Sequence, residues 1–396
     1  MEKDGRVLRK EFLDKKIKLV RKTMDEQDID LWILFTRENN EDPLAEDLRF
    51  DDLTWRSAAI IGRDGSRVGI VGSLETELVK SRGFYDEVLG YGSEGVAGKL
   101  LKLVSEKKPR KIGVDTSYDL GAADGLSVGM DQYLRRALKE YAQRLVSAED
   151  LAITLRACLI PEEIALLEAS IAECERIYDD LESYIRAGRT DEQVHRHTRE
   201  MVRERGLEPA WGADHCPSVS VGAAPSGHLG YTGATIHEGD FVKLDFGVNK
   251  EGYCSDIQRV YFVGSGAVPI GVKKMFQTAI DANDSALSVL KPGISGYKVD
   301  KVARELIVKR GYGDYPHALG HVLGRSTHEI GPLLGPRWPN RYGKQGEKTV
   351  QKDMAFTIEP SVQSRFGTCN LEQDVLVTKN GYKELSKRQD DLIRVG

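Results

Sequence analysis

Cysteine is sparse in this chain of 396 residues, which contains five cysteines and no CxxC pair. An odd number of scattered cysteines does not suit a disulfide framework, so we expect reduced thiols and a cytoplasmic protein. No run of 18 apolar residues is present, so no membrane span is expected. The amino terminus has no apolar stretch of signal-peptide length. The net charge of −5 predicts no general attraction to nucleic acid or to an anionic membrane.

Two familiar signatures are also missing. The HExxH pattern of zinc proteases is absent, and the short glycine-rich stretch at residues 90–92 does not stand between a strand and a helix, as a nucleotide-binding GxGxxG would. The chain is too long for one ordinary domain. Strands alternate with helices over residues 1–150, which predicts a smaller α/β domain, followed by a second domain at residues 151–396.

The second domain carries the chemistry, and its first signal is an acidic hairpin at residues 241–262. Folding this segment about a turn at residues 249–252 places Asp245 opposite Asp256. Cross-strand partners lie roughly 5 Å apart. Two carboxylates at that distance repel by about 3 kcal/mol at an effective dielectric constant near 20, and a cation between them would turn this cost into a gain.

A second segment, residues 355–377, repeats the arrangement. Folding it about residues 364–367 sets Glu359 opposite Glu372. Either hairpin alone could simply present acids on a solvated strand face. The repetition, with an HxxxH segment (residues 317–321) between the two hairpins, favours one shared site instead. Helices are expected at residues 161–187, 190–205, 269–290 and 296–310, and His195 and His197 are expected to be ordinary surface histidines on the second of them.

Four carboxylates and an imidazole favour divalent manganese, cobalt, zinc or iron. More acid than one ion needs indicates two ions with bridging carboxylates, the arrangement of metal-assisted hydrolysis. His321 is the best imidazole ligand because Gly320 precedes it and Leu323-Gly324 follows two residues on, which permits close approach of the backbone. His228 and His328 are candidates for proton transfer or for stabilising charge on a tetrahedral oxygen. Cys254 and Cys369 lie inside the hairpins and are expected to be packing residues.

The motifs then resemble those of a known family, the pita-bread metallopeptidases. The segments that carry the resemblance are, in chain order, LDFG (244–247), GYCSD (252–256), HALGHVLG (317–324), THE (327–329), TIEP (357–360) and LEQDVLVT (371–378). The resemblance covers about residues 156–381. It implies an α+β protein in which a creatinase-like α/β domain precedes a pita-bread catalytic domain, as in Xaa-Pro aminopeptidases, prolidases and creatinase.

The resemblance also implies roles for individual residues. Asp245 would chelate one ion, Asp256 and Glu372 would bridge both ions, and His321 and Glu359 would complete the shell of the second. His228 and His328 would contact the scissile group, and His317 would line the substrate pocket. The family further implies a homodimer and two divalent ions, with manganese the first candidate.

The expected function is removal of an N-terminal residue from Xaa-Pro peptides or dipeptides, by attack of a hydroxide that bridges the two ions. Four positions depart from the proline-peptidase pattern and leave the requirement for proline open: Asn370, Gln373, Gln258 and His215. Asn370, Gln373 and His215 could together replace an ionic network by a neutral one. The alternatives are a hydrolase or lyase of a small non-peptide amide or amidine-like compound, and a binding module without catalysis.

Overall fold

The computed structural model describes residues 8–223 and 229–396, and it divides the chain into two compact units between Arg156 and Ala157. The amino-terminal unit contains residues 8–156, and the carboxy-terminal unit contains residues 157–396. In the described part of the chain, no helix combines the length and the apolarity that crossing a membrane would require.

The amino-terminal unit has a six-stranded mixed sheet. Its strands are β1 (Leu31–Thr36), β2 (Ser57–Gly62), β3 (Arg67–Gly72), β4 (Glu87–Tyr91), β5 (Ile112–Val114) and β6 (Leu145–Ser147), in the order β4-β3-β2-β1-β5-β6. Its helices are α1 (Lys10–Gln27), α2 (Thr76–Ser81), α3 (Val96–Lys107), α4 (Val128–Leu138) and α5 (Glu149–Ala157). Apolar side chains of α3 and α4 pack with those of the central strands in one core. The alternation of strands and helices predicted this α/β arrangement, although β4 and β6 were not predicted.

The carboxy-terminal unit combines helices with several small sheets. Its helices are α6 (Pro161–Leu181), α7 (Asp191–Glu204), α8 (Ile270–Val289), α9 (Gly296–Lys309) and α10 (Pro339–Tyr342). Its strands are β7 (Glu208–Pro209), β8 (Ser218–Val221), β9 (Phe241–Phe246), β10 (Val248–Lys250), β11 (Tyr253–Cys254), β12 (Ile257–Val263), β13 (Gly320–Leu323), β14 (Glu329–Leu334), β15 (Ala355–Ile358), β16 (Ser361–Ser364), β17 (Gly367–Asn370), β18 (Gln373–Val377), β19 (Tyr382–Glu384) and β20 (Ile393–Val395). The predicted α+β class is confirmed.

Two sheets of this unit matter for the site. One has the strand order β20-β12-β9-β8, and the other has the order β14-β13-β15-β18-β19. Helix α6 covers the first sheet, because its apolar side chains recur every three to four residues and enter one core with those of β9. The hydroxyl of Tyr178 on α6 also donates to the carbonyl oxygens of Leu244 and Ile257, at 3.1 and 2.5 Å.

The ends of the helices show how local sequence sets the chain path. Thr190 caps α7 in a capping box with Gln193, because each side chain accepts a hydrogen bond from the other residue's backbone N–H. Thr190 and Gln193 stand at the spacing of a capping box in the sequence. Helix α6 ends at Leu181, six residues before its predicted end, since the chain turns there to bury Ile185.

The register of the first acidic hairpin differs from the prediction. Its turn is the two-residue pair Glu251 and Gly252, with φ of 52° and 87°, as a primed hairpin turn requires. The pairing therefore shifts by two residues, so that Asp245 lies opposite Gln258 rather than Asp256. Because side chains alternate between the two faces of a strand with a period of two, a two-residue shift leaves every side chain on the face that was predicted for it.

The second acidic hairpin has the predicted register. Ser364 pairs with Gly367 in β16 and β17, and Ile358 pairs with Gln373 in β15 and β18. Glu359 and Glu372 occupy the interruption between these two paired stretches, directly across from each other. Both residues thus lie where the backbone pairing between the two strands is interrupted, and neither belongs to a regular strand.

Candidate metal centre

The carboxy-terminal unit gathers the five predicted ligand residues from five separate places in the chain. Asp245 is on β9, Asp256 lies between β11 and β12, and His321 is on β13. Glu359 follows β15, and Glu372 precedes β18. The first sheet supplies the two aspartates, and the second sheet supplies the imidazole and the two glutamates.

The donor atoms converge. Nε2 of His321 lies 3.5 Å from Oδ2 of Asp256 and 3.7 Å from Oε1 of Glu359. One ligand atom each from Asp256, His321 and Glu372 lies within 4.8 Å of the other two. Asp245 is half-buried beside them, and its charge acts on Asp256, Glu359 and Glu372. Five ligand residues of the type that divalent ions prefer therefore share one small volume.

Buried oxygen atoms in this cluster have no hydrogen-bond donor in the described part of the chain. They are Oδ1 of Asp256 and both carboxylate oxygens of Glu372. Glu372 is 1% exposed, and an isolated buried carboxylate is costly because it has lost its water. This set of ligand atoms fits divalent cations as partners. A carboxylate whose two oxygens are both available can bridge two cations.

Burial is the main cause of the altered acidities. It raises the pKa of Asp256, Glu359 and Glu372 well above the usual range, and the charges of the neighbouring acids raise these pKa values further. Burial also lowers the pKa of His321 to about 3, with His328 as the next cause. The His321 imidazole is therefore neutral at physiological pH, which is the form that binds metal.

The tautomer of His321 suits a ligand as well. Its Nδ1 lies 3.2 Å from the carbonyl oxygen of Val322, which can only accept, so Nδ1 carries the proton. The lone pair is then on Nε2, the nitrogen that faces Asp256 and Glu359. A backbone carbonyl that orients a metal-binding histidine in this way is a common feature of metal sites.

A buried arginine ties the two acidic hairpins together. Arg259 donates to the carbonyl oxygens of Gln258, Glu372 and Lys387, at 3.0, 2.8 and 2.5 Å. Because Gln258 and Glu372 belong to different hairpins, this one guanidinium sets the position of one sheet against the other.

Asp374 is a buried acid that sequence reasoning missed. Its Oδ2 accepts from the backbone N–H of Asp256 at 3.4 Å, and burial raises its pKa well above the usual range. It stands two residues after Glu372 in the LEQD segment, so the spacing of the acids was visible. Its inward orientation was not, because strand β18 is buried on both faces.

The other predicted histidines lie around the cluster. The ring of His328 is exposed, and its centroid is 4.2 Å from that of His321. His317 is half-buried, its Nδ1 lies 2.7 Å from the carbonyl oxygen of Ala318, and burial lowers its pKa to about 4. His228 lies outside the described residues.

The four departures from the motif pattern fall into two groups. Gln258 faces the cluster and donates through Nε2 to Glu359 at 3.2 Å. The proposed neutral network is not formed by direct contacts: Asn370 accepts from the Ser361 hydroxyl, and no hydrogen bond joins Asn370 to Gln373 or to His215. His215 is exposed whereas Asn370 and Gln373 are buried, which separates their environments.

Several residues outside the cluster have structural roles. His195 was predicted to be a surface histidine, but it is only 2% exposed, because its face of α7 packs against the chain near β8. Its Nδ1 lies 2.7 Å from the carbonyl oxygen of Pro217. Cys254 and Cys369 are buried, as expected of packing residues. Residues 125–129 have a GxSxG spacing, but Ser127 within it has a structural role, because it caps α4 by accepting a hydrogen bond from the Met130 N–H.

Comparison with known proteins places this geometry in a family. The model of "Metallopeptidase family M24" matches residues 165–379. The Xaa-Pro dipeptidase of Pyrococcus horikoshii is 28% identical over 276 residues, which cover 69% of this chain and 74% of that protein. Among solved structures, an Xaa-Pro dipeptidase from Bacillus anthracis superposes with a TM-score of 0.70 at 25% identity, covering 97% of this chain and 100% of that one.

An X-Pro aminopeptidase from Thermotoga maritima gives a TM-score of 0.65 at 25% identity over 93% of this chain and 98% of that one. These matches confirm the predicted pita-bread fold and the resemblance read from the motifs. Since the family model covers more than half of the chain, the protein belongs to metallopeptidase family M24.

Proposed function

We propose that this metallopeptidase removes the N-terminal residue from Xaa-Pro dipeptides or short Xaa-Pro peptides. The names of the relatives support proline specificity: an Xaa-Pro dipeptidase and an X-Pro aminopeptidase are among them. The proposed ligands of two divalent ions are Asp245, Asp256, His321, Glu359 and Glu372, with manganese the first candidate and cobalt, zinc or iron the others. A cytoplasmic homodimer, with a separate domain at residues 1–150, belongs to the same proposal.

One observation carries this proposal: within the described residues, both oxygens of the buried Glu372 carboxylate lack a hydrogen-bond donor, beside a neutral imidazole whose lone pair faces the acids. When bound, two divalent ions supply a water of lowered pKa and polarise the carbonyl of the scissile bond. The acids cannot do this alone, since a carboxylate has no positive charge with which to polarise a carbonyl or to lower the pKa of a water.

The protein's own side chains supply binding and proton handling. His328 presents an exposed imidazole beside His321, where a ring N–H can donate to the oxygen of the scissile carbonyl. Burial keeps His317 neutral, so it can line the pocket and donate or accept one hydrogen bond without adding charge. We assign to His228 the contact with the scissile group that the motif pattern implies.

Hydrolysis of matched peptides tests the proposal. Protein purified without chelators and saturated with Mn²⁺ should cut Ala-Pro and an Ala-Pro-initiated pentapeptide, while Ala-Ala and its pentapeptide serve as controls for the proline requirement. Release of the N-terminal alanine is the measurement. If the fully loaded protein cuts none of these peptides, the peptidase proposal is wrong.

A second candidate is a hydrolase or lyase of a small non-peptide amide or amidine-like compound. The neutral Asn370, where proline peptidases usually carry an arginine, favours it, because that change alters the charge beside Glu372 without removing a ligand residue. Incubating the loaded protein with a panel of small amides and amidines, in parallel with the peptides, separates the two candidates.

A further inference from the structure

The two faces of strand β9 differ sharply. Val242, Leu244 and Phe246 enter the apolar core under α6, and none of the three is exposed. Side chains alternate along a strand, so Lys243 and Asp245 point to the opposite face. That face is the one that holds the candidate metal centre, since Gln258, the cross-strand partner of Asp245, donates to Glu359.

Lys243 has no partner of its own. It is 6% exposed, and it makes no hydrogen bond or ion pair with any residue that the structure describes. Its neighbours on the adjacent strands are Ser220 and Val260, neither of which is charged. Its Nζ is not among the buried side-chain nitrogens that lack a partner in the described residues, so the stem of Lys243 is covered while its ammonium group stays accessible to a ligand.

The charge of Lys243 is felt within the site. Burial and the neighbouring acids raise the pKa of Glu359, whereas Lys243 acts to lower it. At His317, burial lowers the pKa most and Lys243 lowers it further. The charge of Lys243 therefore acts on Glu359 and His317, on the side where the substrate pocket is proposed.

The spacing along β9 suits one part of a dipeptide. Two residues of a strand span about 7 Å, so Lys243 is placed that far from Asp245, with a long flexible side chain. In a dipeptide, the carboxylate carbon lies no more than about 4 Å from the carbonyl carbon that is attacked, the reach of three backbone bonds. In a longer peptide a neutral amide takes that place and would leave the cation unpaired.

We propose that Lys243 binds the C-terminal carboxylate of a dipeptide, so that the enzyme favours substrates with a free carboxylate one residue beyond the cut bond. This inference rests on the proposed peptidase function and specifies its substrate class. Lys243 is here a binding and specificity residue, and the metal-binding residues remain as described above.

The test compares Ala-Pro with Ala-Pro amide, which differ only in the charge of the C-terminal group. Wild type, Lys243→Met, Lys243→Arg and the exposed control Lys273→Met on α8 are each loaded with Mn²⁺ to equal measured content. Wild type should favour the acid, chiefly through KM, by about 10- to 100-fold in kcat/KM, as expected for a hydrogen bond to a charged group. In Lys243→Met this acid-to-amide ratio should fall close to one.

Controls make the outcome decisive. Lys243→Arg keeps a cation and should retain most of the preference for the acid, and Lys273→Met should behave as wild type. Far-ultraviolet circular dichroism checks that each variant is folded. If Lys243→Met lowers hydrolysis of acid and amide by the same factor, the inference is overturned although the peptidase function stands.

Failure of the peptidase function is distinguishable from failure of this inference. If loaded wild type cuts neither compound, calorimetric titration with Ala-Pro and Ala-Pro amide measures binding directly. Tighter binding of the acid that Lys243→Met abolishes supports the assignment. Absence of a Lys243-dependent preference for the acid overturns it.

Discussion

Each unit of the protein buries a group of acids, but the two groups are built differently. In the amino-terminal unit, Asp42 and Asp115 are 3% and 1% exposed. The backbone N–H of Leu44 donates to Asp42 at 2.9 Å, and the indole N–H of Trp32 donates to Asp115 at 2.7 Å. Burial raises the pKa of Asp42 to about 7 and that of Asp115 well above its usual range. Protonation can neutralise this pair without any metal.

The group in the carboxy-terminal unit adds what the first lacks. It has more acids and a neutral imidazole whose lone pair faces them. It also has a glutamate whose two carboxylate oxygens accept no hydrogen bond from the described residues. Within residues 8–223 and 229–396, one ligand atom each of Asp256, His321 and Glu372 lies within 4.8 Å of the other two. Burial of acids alone therefore does not mark a metal site; convergence of different ligand types does.

The largest expected difference between the two groups is in metal retention. Asp256→Asn should lose bound metal and lower kcat/KM by more than about 100-fold, beyond the 10- to 100-fold typical of residues that only orient a ligand. Asp115→Asn should keep both. Plasma mass spectrometry of the purified proteins, with hydrolysis of Ala-Pro, measures the two properties. A fully active Asp256→Asn would contradict the assigned role.

Two arginines offer the next comparison. Arg259→Met removes donors to three carbonyl oxygens at the metal centre, and we expect metal affinity or activity to fall by about 10- to 100-fold. Arg82 in the amino-terminal unit donates to the carbonyl oxygens of Arg49 and Asp51 and to the Asp51 carboxylate. Arg82→Met should cost about 2 kcal/mol of stability without changing metal affinity. Equal metal affinity in both variants would show that Arg259 does not position the ligands.

The pH dependence of stability should distinguish the metal-free protein from the loaded one. Asp256, Glu359, Glu372 and Asp374 have raised pKa values in the folded state, so the folded protein holds protons that the unfolded chain has released. Stability therefore falls as pH rises toward the folded pKa values. Above pH 7.5 histidine contributes little, because it is neutral in both states.

Above the pH range in which carboxyl groups usually titrate, the melting temperature of the metal-free protein should fall as pH rises. Saturating Mn²⁺ should remove or reverse this trend, since metal binds the deprotonated ligands. Calorimetric scans with and without metal make the measurement. The same slope in both states would mean that the acids of the centre do not hold metal.

The smallest expected effect concerns single donors to each acid group. Gln258→Leu removes the N–H that orients Glu359 and should lower kcat/KM by about tenfold. Trp32→Phe removes the N–H donated to Asp115 and should leave hydrolysis unaltered while lowering stability by about 1–3 kcal/mol. Steady-state kinetics and denaturant unfolding check the pair. If Trp32→Phe impairs hydrolysis as much as Gln258→Leu, the two acid groups are not functionally separate.

Local sequence by itself determined much of this protein. Apolar spacing predicted α6 and the strands of the two acidic hairpins. Thr190 and Gln193 stand at capping-box spacing, and the four residues at 364–367 predicted the register of the second acidic hairpin. These features depend on residues close together in the chain. The ordered motifs also indicated the family, because each combines a ligand type with its local turn.

Only the tertiary structure decided the rest. The first hairpin closes on Glu251 and Gly252, a choice between neighbouring turns that moves Asp245 opposite Gln258. The inward orientation of Asp374 and of Lys243 depends on which strand faces are covered, and α7 buries His195 for the same reason. Contacts between residues separated by about a hundred positions follow from the packing of whole elements, and no local pattern specifies them.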